Sequence, residues 1–270
     1  METVDIIYGT AWKESGTERL VTLALAAGFR AIDTANQRKH YFEADVGLAL
    51  QAAFRNGMKR DDVFVQSKFT FLRGQDSRLP YDPKAPIAAQ VAQSHASSLE
   101  HLGLTFLDSY VLHGPWRRGA WSPEDVEAWS AMELLQERGG VGQLGVSNVT
   151  VEHLQGLCAR TRAAPAWVQN RCYASAGWAA DVRHFCRDHG IRYQGFSLLT
   201  ANPAVLASRS VRAIAKHHGK TPAQVVFRFS RQVGMVPLTG TSDPAHMRED
   251  LAASGFTLSE SELAELDRLW

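Results

Sequence analysis

Short apolar runs alternate with longer amphipathic stretches from one end of the chain to the other, and this alternation constrains the fold more than any other feature. Strands are expected over 5–9, 30–34, 63–68, 107–113, 141–146, 166–172, 191–196 and 235–238. Helical spacing fills the intervals at 18–27, 42–54, 86–102, 123–138, 151–159, 178–189, 205–217 and 222–232, and two short helices follow the last strand. Regular β-α alternation implies parallel strands joined by helical crossovers. An open doubly wound sheet and a closed barrel both satisfy that rule. Eight units in about 250 residues fit the (β/α)8 barrel. No Pro- or Gly-rich linker interrupts the chain, so residues 1–270 are expected to form a single α/β domain.

Gly140-Val-Gly-Gln-Leu-Gly145 spells a dinucleotide fingerprint. That motif has to follow a strand and open a helix. Here it follows a helix and opens a strand, so the glycines are read as a helix stop and a tight turn.

Composition narrows the function classes. Hydrophobic residues make up 45% and charged residues 21%, as in ordinary soluble domains. Net charge is +1, which offers no broad basic field for a nucleic-acid backbone or an anionic membrane surface. No apolar run approaches the roughly 18 residues of a membrane helix, and the N-terminus does not read as a signal peptide. Cys158, Cys172 and Cys186 have no C-x-x-C spacing, which points to free thiols in a reducing cytoplasm. No metal set is expected; Cys186, His184 and His189 are the nearest approach to one.

In a barrel, chemistry sits at the C-terminal ends of the strands. Those ends carry Asp33, Lys68, His113, Ser147-Asn148, Gln169-Asn170 and Phe196-Ser197, and Tyr41 lies just beyond the second strand. Singly, each has a bland reading as a cap, a turn former or a solvated charge. Together they suit protonation of an oxygen while a hydride reaches the adjacent carbon. A Lys beside a Tyr favours phenolate and is expected to lower the Tyr pKa. An Asp keeps that Lys charged, and a neutral His donates a hydrogen bond to a carbonyl oxygen. The sequence has no H-E-x-x-H and no G-x-S-x-G, so a metal-dependent hydrolase has less support.

Four segments resemble the aldo-keto reductase family. Gly28-Phe-Arg-Ala-Ile-Asp-Thr-Ala35, with Tyr41 and Val46-Gly47, resembles its first signature. Val63-Phe-Val-Gln-Ser-Lys68 resembles the lysine strand, Leu107-Asp-Ser-Tyr-Val-Leu-His-Gly-Pro115 the strand-four signature, and Gly145-Val-Ser-Asn148 the segment that holds the nicotinamide amide. The resemblance implies a (β/α)8 barrel that reduces an aldehyde or ketone with NADPH, or with NADH. It implies Tyr41 as general acid, Lys68 as its pKa tuner, Asp33 as the partner of Lys68, and His113 as the group orienting the carbonyl.

For the cofactor it implies Ser147, Asn148 and a strand-six amide, with Asn170 favoured over Gln169. It adds Phe196 under the nicotinamide ring, Ser197 and Leu199 beside it, and Gly240, Thr241, Ser242, His246, Glu249 and Asp250 toward the adenosine. Gly240 and His246 stand where NADPH-preferring relatives carry Lys and Arg, so a modest NADPH preference of roughly tenfold or less is expected, with Arg248 as a substitute charge. The segment Asn36–His40 is longer than the family spacing before Tyr41. Trp12, Tyr81 and Trp116 are candidate substrate contacts at an aromatic mouth. A small-molecule carbonyl substrate and a monomer are expected, the alternative being a nucleotide-binding regulatory barrel with little turnover.

Overall fold

A computed structural model describes residues 4–161 and 164–269. Its strands are β1 (Ile7–Gly9), β2 (Ala31–Asp33), β3 (Phe64–Phe69), β4 (Leu107–Leu112), β5 (Val141–Ser147), β6 (Trp167–Arg171), β7 (Arg192–Phe196) and β8 (Met235–Thr239). They form a closed parallel barrel in chain order. Closure is made where β8 pairs with β1, Ile7 opposite Leu238 and Tyr8 opposite Thr239. All six residues of β3 and of β4 are buried, as strands covered on both faces require.

Two apolar clusters share the work. The larger lies between the barrel and its helices. The smaller plugs the base of the barrel with Ile7, Ala31, Phe64, Trp167, Val236 and Leu238. The rings of Phe64 and Trp167 lie 5.6 Å apart, and each buried apolar side chain of this kind is worth about 1.5–3 kcal/mol. Side chains alternate along a strand, so the residues two steps on from this plug also face inward. Ala31 is followed by Asp33, Phe64 by Gln66 and Lys68, and Trp167 by Gln169. The interior therefore changes from apolar to polar on the way to the C-terminal mouth.

Helix packing is close where sequence permits it. A Cβ on Gly47 would lie 2.0 Å from the carbonyl oxygen of His101, so glycine lets the helix Glu43–Arg55 seat against the helix Ile87–Leu102. Gly140–Gly145 opens β5, not a helix. Two expected helices differ from the structure. The one over 178–189 starts only at Ala180, because Gly177, Trp178 and Ala179 have φ of 64°, 55° and 53° and make a sharp corner. The one over 205–217 is broken at Ser208, whose extended backbone ends Pro203–Ala207 and whose hydroxyl caps Arg209–His218. Among the described residues no helix is long and apolar enough to cross a membrane.

Candidate active site

Lys68 is fully buried at the end of β3, and its ammonium donates to Asp33 Oδ2 at 2.6 Å and to the Thr34 carbonyl at 2.8 Å. The ammonium lies 5.1 Å from the centre of the Tyr41 ring. The His113 ring meets Tyr41 edge-on with centres 5.9 Å apart. The long segment before Tyr41 folds into a turn in which the amides of His40 and Tyr41 donate to the Gln37 carbonyl. That turn absorbs the extra length and delivers the phenol to the Lys68–Asp33 pair.

The expected direction of the tyrosine shift is overturned. Burial raises the Tyr41 pKa, and the Asp33 carboxylate adds to the rise. The larger cause is desolvation of the buried phenol, and the Asp33 carboxylate, itself paired with Lys68 at 2.6 Å, disfavours a second negative charge beside it. Burial in turn lowers the Lys68 pKa, against the opposing pull of Asp33. Tyr41 is therefore a phenol, a proton donor, across the neutral range. His113 is pushed down to about 3 by burial, with Lys68 and His40 adding to the effect, so its imidazole is neutral.

Thr70 was not anticipated from sequence. Its hydroxyl lies 2.7 Å from His113 Nδ1. With Thr70 donating, Nδ1 is the acceptor and Nε2 carries the proton, which makes Nε2–H the donor. Tyr81, expected to touch substrate, is instead buried, and its hydroxyl donates to the Thr70 carbonyl at 2.8 Å. It anchors the residue that orients His113. Trp116 likewise packs edge-on against Phe71 with ring centres 5.0 Å apart and does not line the cleft. Trp12 does line it, 70% exposed and 3.8 Å from the His40 ring.

Below the ion pair lies an amide network. Gln66 Nε2 donates to Asp33 Oδ1 at 2.7 Å, and Gln169 Nε2 to the same oxygen at 3.0 Å. Both amides also donate to Gln194 Oε1, at 2.9 and 2.8 Å, and Gln194 Nε2 returns a bond to Gln66 Oε1 at 3.0 Å. The hydrogens of the Gln169 amide are thus spent inward, and its Oε1 is left as the acceptor. Gln169 lines the cleft, whereas Asn170 does not. The side chain of Asn170 is consumed by Val149, accepting from its N–H at 3.0 Å and donating to its carbonyl at 2.7 Å. The structure thus brings Gln169 to the cleft and keeps the favoured Asn170 away from it.

The cleft has a volume of about 870 Å³ and runs from Asp33, Tyr41 and His113 past Ser147, Asn148 and Phe196 to Gly240, Thr241 and Ser242. Ser197 and Leu199 also line it. Ser147 Oγ donates to the Gln169 carbonyl at 2.6 Å, and Asn148 Nδ2 donates to the His113 carbonyl at 2.8 Å. Trp12, Asn148 and Ser197 hold φ of 62°, 59° and 57° at this cleft, an uncommon conformation for residues with a Cβ. A long cleft with an aromatic wall, an unspent amide acceptor and hydroxyls at its far end fits a nicotinamide dinucleotide.

The adenosine end differs in part from expectation. Asp250 is buried and accepts from Thr239 Oγ1 at 2.6 Å, with burial raising its pKa to about 6. Its carboxylate supports β8 and does not face the cleft. His246 is exposed and Glu249 half-buried, and neither lines the cleft. Lys13, which sequence reading passed over, does line it and donates to the Gly240 carbonyl at 2.7 Å. Burial lowers the Lys13 pKa to about 8. Away from the mouth, His217 and His218 bind Glu262 at 3.2 and 2.9 Å, tying two helices together; these are the one His/Glu group among the described residues able to hold a metal.

Residues 5–270 match the sequence model of the aldo/keto reductase family. The chain is 30% identical over 261 residues to methylglyoxal reductase DkgA of Salmonella typhimurium, covering 96% of this chain and 86% of that protein. It is 31% identical over 253 residues to 2,5-diketo-D-gluconic acid reductase B of a Corynebacterium species, covering 92% and 83%. A crystal structure of an aldo/keto reductase from Brucella melitensis superposes with a TM-score of 0.83 at 27% identity, covering 98% of this chain and 95% of that one.

Proposed function

The chain belongs to the aldo/keto reductase family and is an NAD(P)H-dependent oxidoreductase of carbonyl compounds, and from that premise we propose that Tyr41 protonates the carbonyl oxygen and that NADPH is the preferred cofactor. The observation that carries the first part is the convergence of Tyr41, Lys68, Asp33 and His113 at one end of the cleft. When bound, the reduced nicotinamide supplies a hydride to the carbonyl carbon. The phenol of Tyr41 gives its proton to the oxygen, and the Lys68 ammonium lies close enough to favour the phenolate left behind. His113 Nε2–H donates to the same oxygen and fixes the carbonyl. Gln169 Oε1, Ser147 and Asn148 hold the carboxamide, and Phe196 offers the ring an aromatic face.

NADPH preference is supported by Lys13, with Thr241 and Ser242 as hydrogen-bond partners for the 2′-phosphate. Exposed large apolar side chains, Trp12, Leu48, Leu72, Leu134 and Tyr173, lie scattered on separate elements, which supports a monomer. Free Cys158, Cys172 and Cys186 support a cytoplasmic location. The test is a panel of aldehydes and ketones with NADPH and with NADH, followed by loss of reduced-cofactor absorbance. Turnover with NADPH favoured about tenfold supports the reading. Cofactor binding without turnover on any carbonyl would leave the regulatory-barrel alternative.

A further inference from the structure

A second cavity of about 550 Å³ opens beside the catalytic end of the cleft and shares Gln37, His113 and Asn148 with it. Arg73, Arg117 and Arg118 line it, and no carboxylate does. Phe71 and Pro115 give it an apolar side. We propose that this cavity receives the substrate and that its arginines select carbonyl compounds bearing an oxyanion, a carboxylate or a phosphate, a few bonds from the reacting carbon. The inference rests on the reading of His113 and Tyr41 as the groups that hold and protonate the carbonyl.

The arginines are poorly neutralised. Arg73 donates through Nη2 to the Pro115 carbonyl, which ties its turn to the loop after β4 and leaves the other guanidinium donors unspent. The side chain of Arg117 is 71% exposed and faces Glu124 only at 3.7 Å. Arg118 is exposed on the same loop. Guanidinium groups present a planar fork of donors that matches carboxylate and phosphate oxygens. A cleft with low-dielectric walls and charge of one sign also concentrates counter-charged ligands, an effect that weakens with salt. None of these arginines lines the cofactor cleft, so they are not the cations of the dinucleotide end.

The experiment compares kcat/KM for two matched pairs of aldehydes with saturating NADPH. Butanal is neutral, 4-oxobutanoate carries a carboxylate, and glyceraldehyde 3-phosphate, read against glyceraldehyde, carries a phosphate. An anionic aldehyde should exceed its neutral match by at least about tenfold at low ionic strength, the worth of one charge-assisted hydrogen bond. That ratio should fall toward one at high salt, and in Arg118→Glu and in Arg117→Glu. The arm with the larger ratio identifies the oxyanion. Anionic-to-neutral ratios at or below one in the wild type, with neutral aldehydes turned over, would overturn the inference and leave the carbonyl-reductase reading intact. No turnover of any of the aldehydes would overturn both.

Discussion

Replacing Gln169 by Leu separates the two residues that compete for the cofactor amide. The substitution removes one of three side-chain donors to the Asp33 carboxylate; Gln66 remains at 2.7 Å and Lys68 at 2.6 Å. It also deletes Gln169 Oε1, the acceptor left for the carboxamide. A neutral hydrogen bond is worth about 0.5–1.5 kcal/mol, so the cofactor Kd should rise roughly 2- to 12-fold. Turnover should fall by about tenfold, because Asp33 loses a charge-assisted bond worth about 1.5 kcal/mol or more. Asn170→Leu should behave oppositely. It orphans the buried N–H and carbonyl of Val149, at about 1–3 kcal/mol each, and so lowers unfolding free energy by about 2–6 kcal/mol. Fluorescence titration with NADPH, steady-state kinetics and urea unfolding on both variants read the three quantities. A larger loss of cofactor affinity in Asn170→Leu than in Gln169→Leu would refute the assignment of the amide.

Lys68→Met should abolish most turnover and destabilise the fold by about 3–5 kcal/mol, because the buried Asp33 carboxylate loses its partner; pH profiles and thermal melts check both. Reduction needs the Tyr41 phenol and alcohol oxidation the phenolate. With the free-protein pKa raised, kcat/KM for reduction should stay level through neutral pH and fall only as pH climbs through that raised value, while oxidation rises over the same range. His113, held neutral down to about 3, should add no acid limb to the profile above about pH 5. Thr70→Val should lower kcat/KM about fivefold to tenfold by freeing the His113 tautomer, and Thr70→Ser should restore it, as read by steady-state kinetics. Lys13→Met should cut kcat/KM for NADPH by about tenfold and change that for NADH less, if the ammonium serves the 2′-phosphate.

The architecture was legible because eight β-α units in this length fit a closed barrel, and because Asp33, Lys68 and His113 fall at strand ends that the barrel brings together. The phase of β6 was not. Trp167, Val168, Gln169 and Asn170 are all buried, so the strand shows no apolar-polar alternation to say which amide faces in. The register settles it, with Gln169 opposite Ser147 and Gln194. Gln is a residue type mostly found exposed, yet Gln66 and Gln194 are fully buried because each satisfies the other. Tyr81 has an aromatic body and a polar tip, and sequence does not show which of the two meets the cavity; its hydroxyl turned to Thr70. Lys13 follows an exposed Trp12 and looks like a solvated charge until the loop folds back on Gly240. The break before Ala180 had a signal in Gly177, though not one that marks the left-handed turns at Trp178 and Ala179.

Tyr41→Phe tests the central claim most directly, because it removes one hydroxyl and leaves the Lys68–Asp33 pair and the cleft in place. Steady-state kcat for carbonyl reduction should fall by at least about 100-fold while the NADPH Kd from titration stays within about twofold of wild type, as expected for loss of a general acid. A variant that binds NADPH normally and keeps turnover within about fivefold of wild type would contradict the account, since general acid catalysis contributes about 100-fold or more.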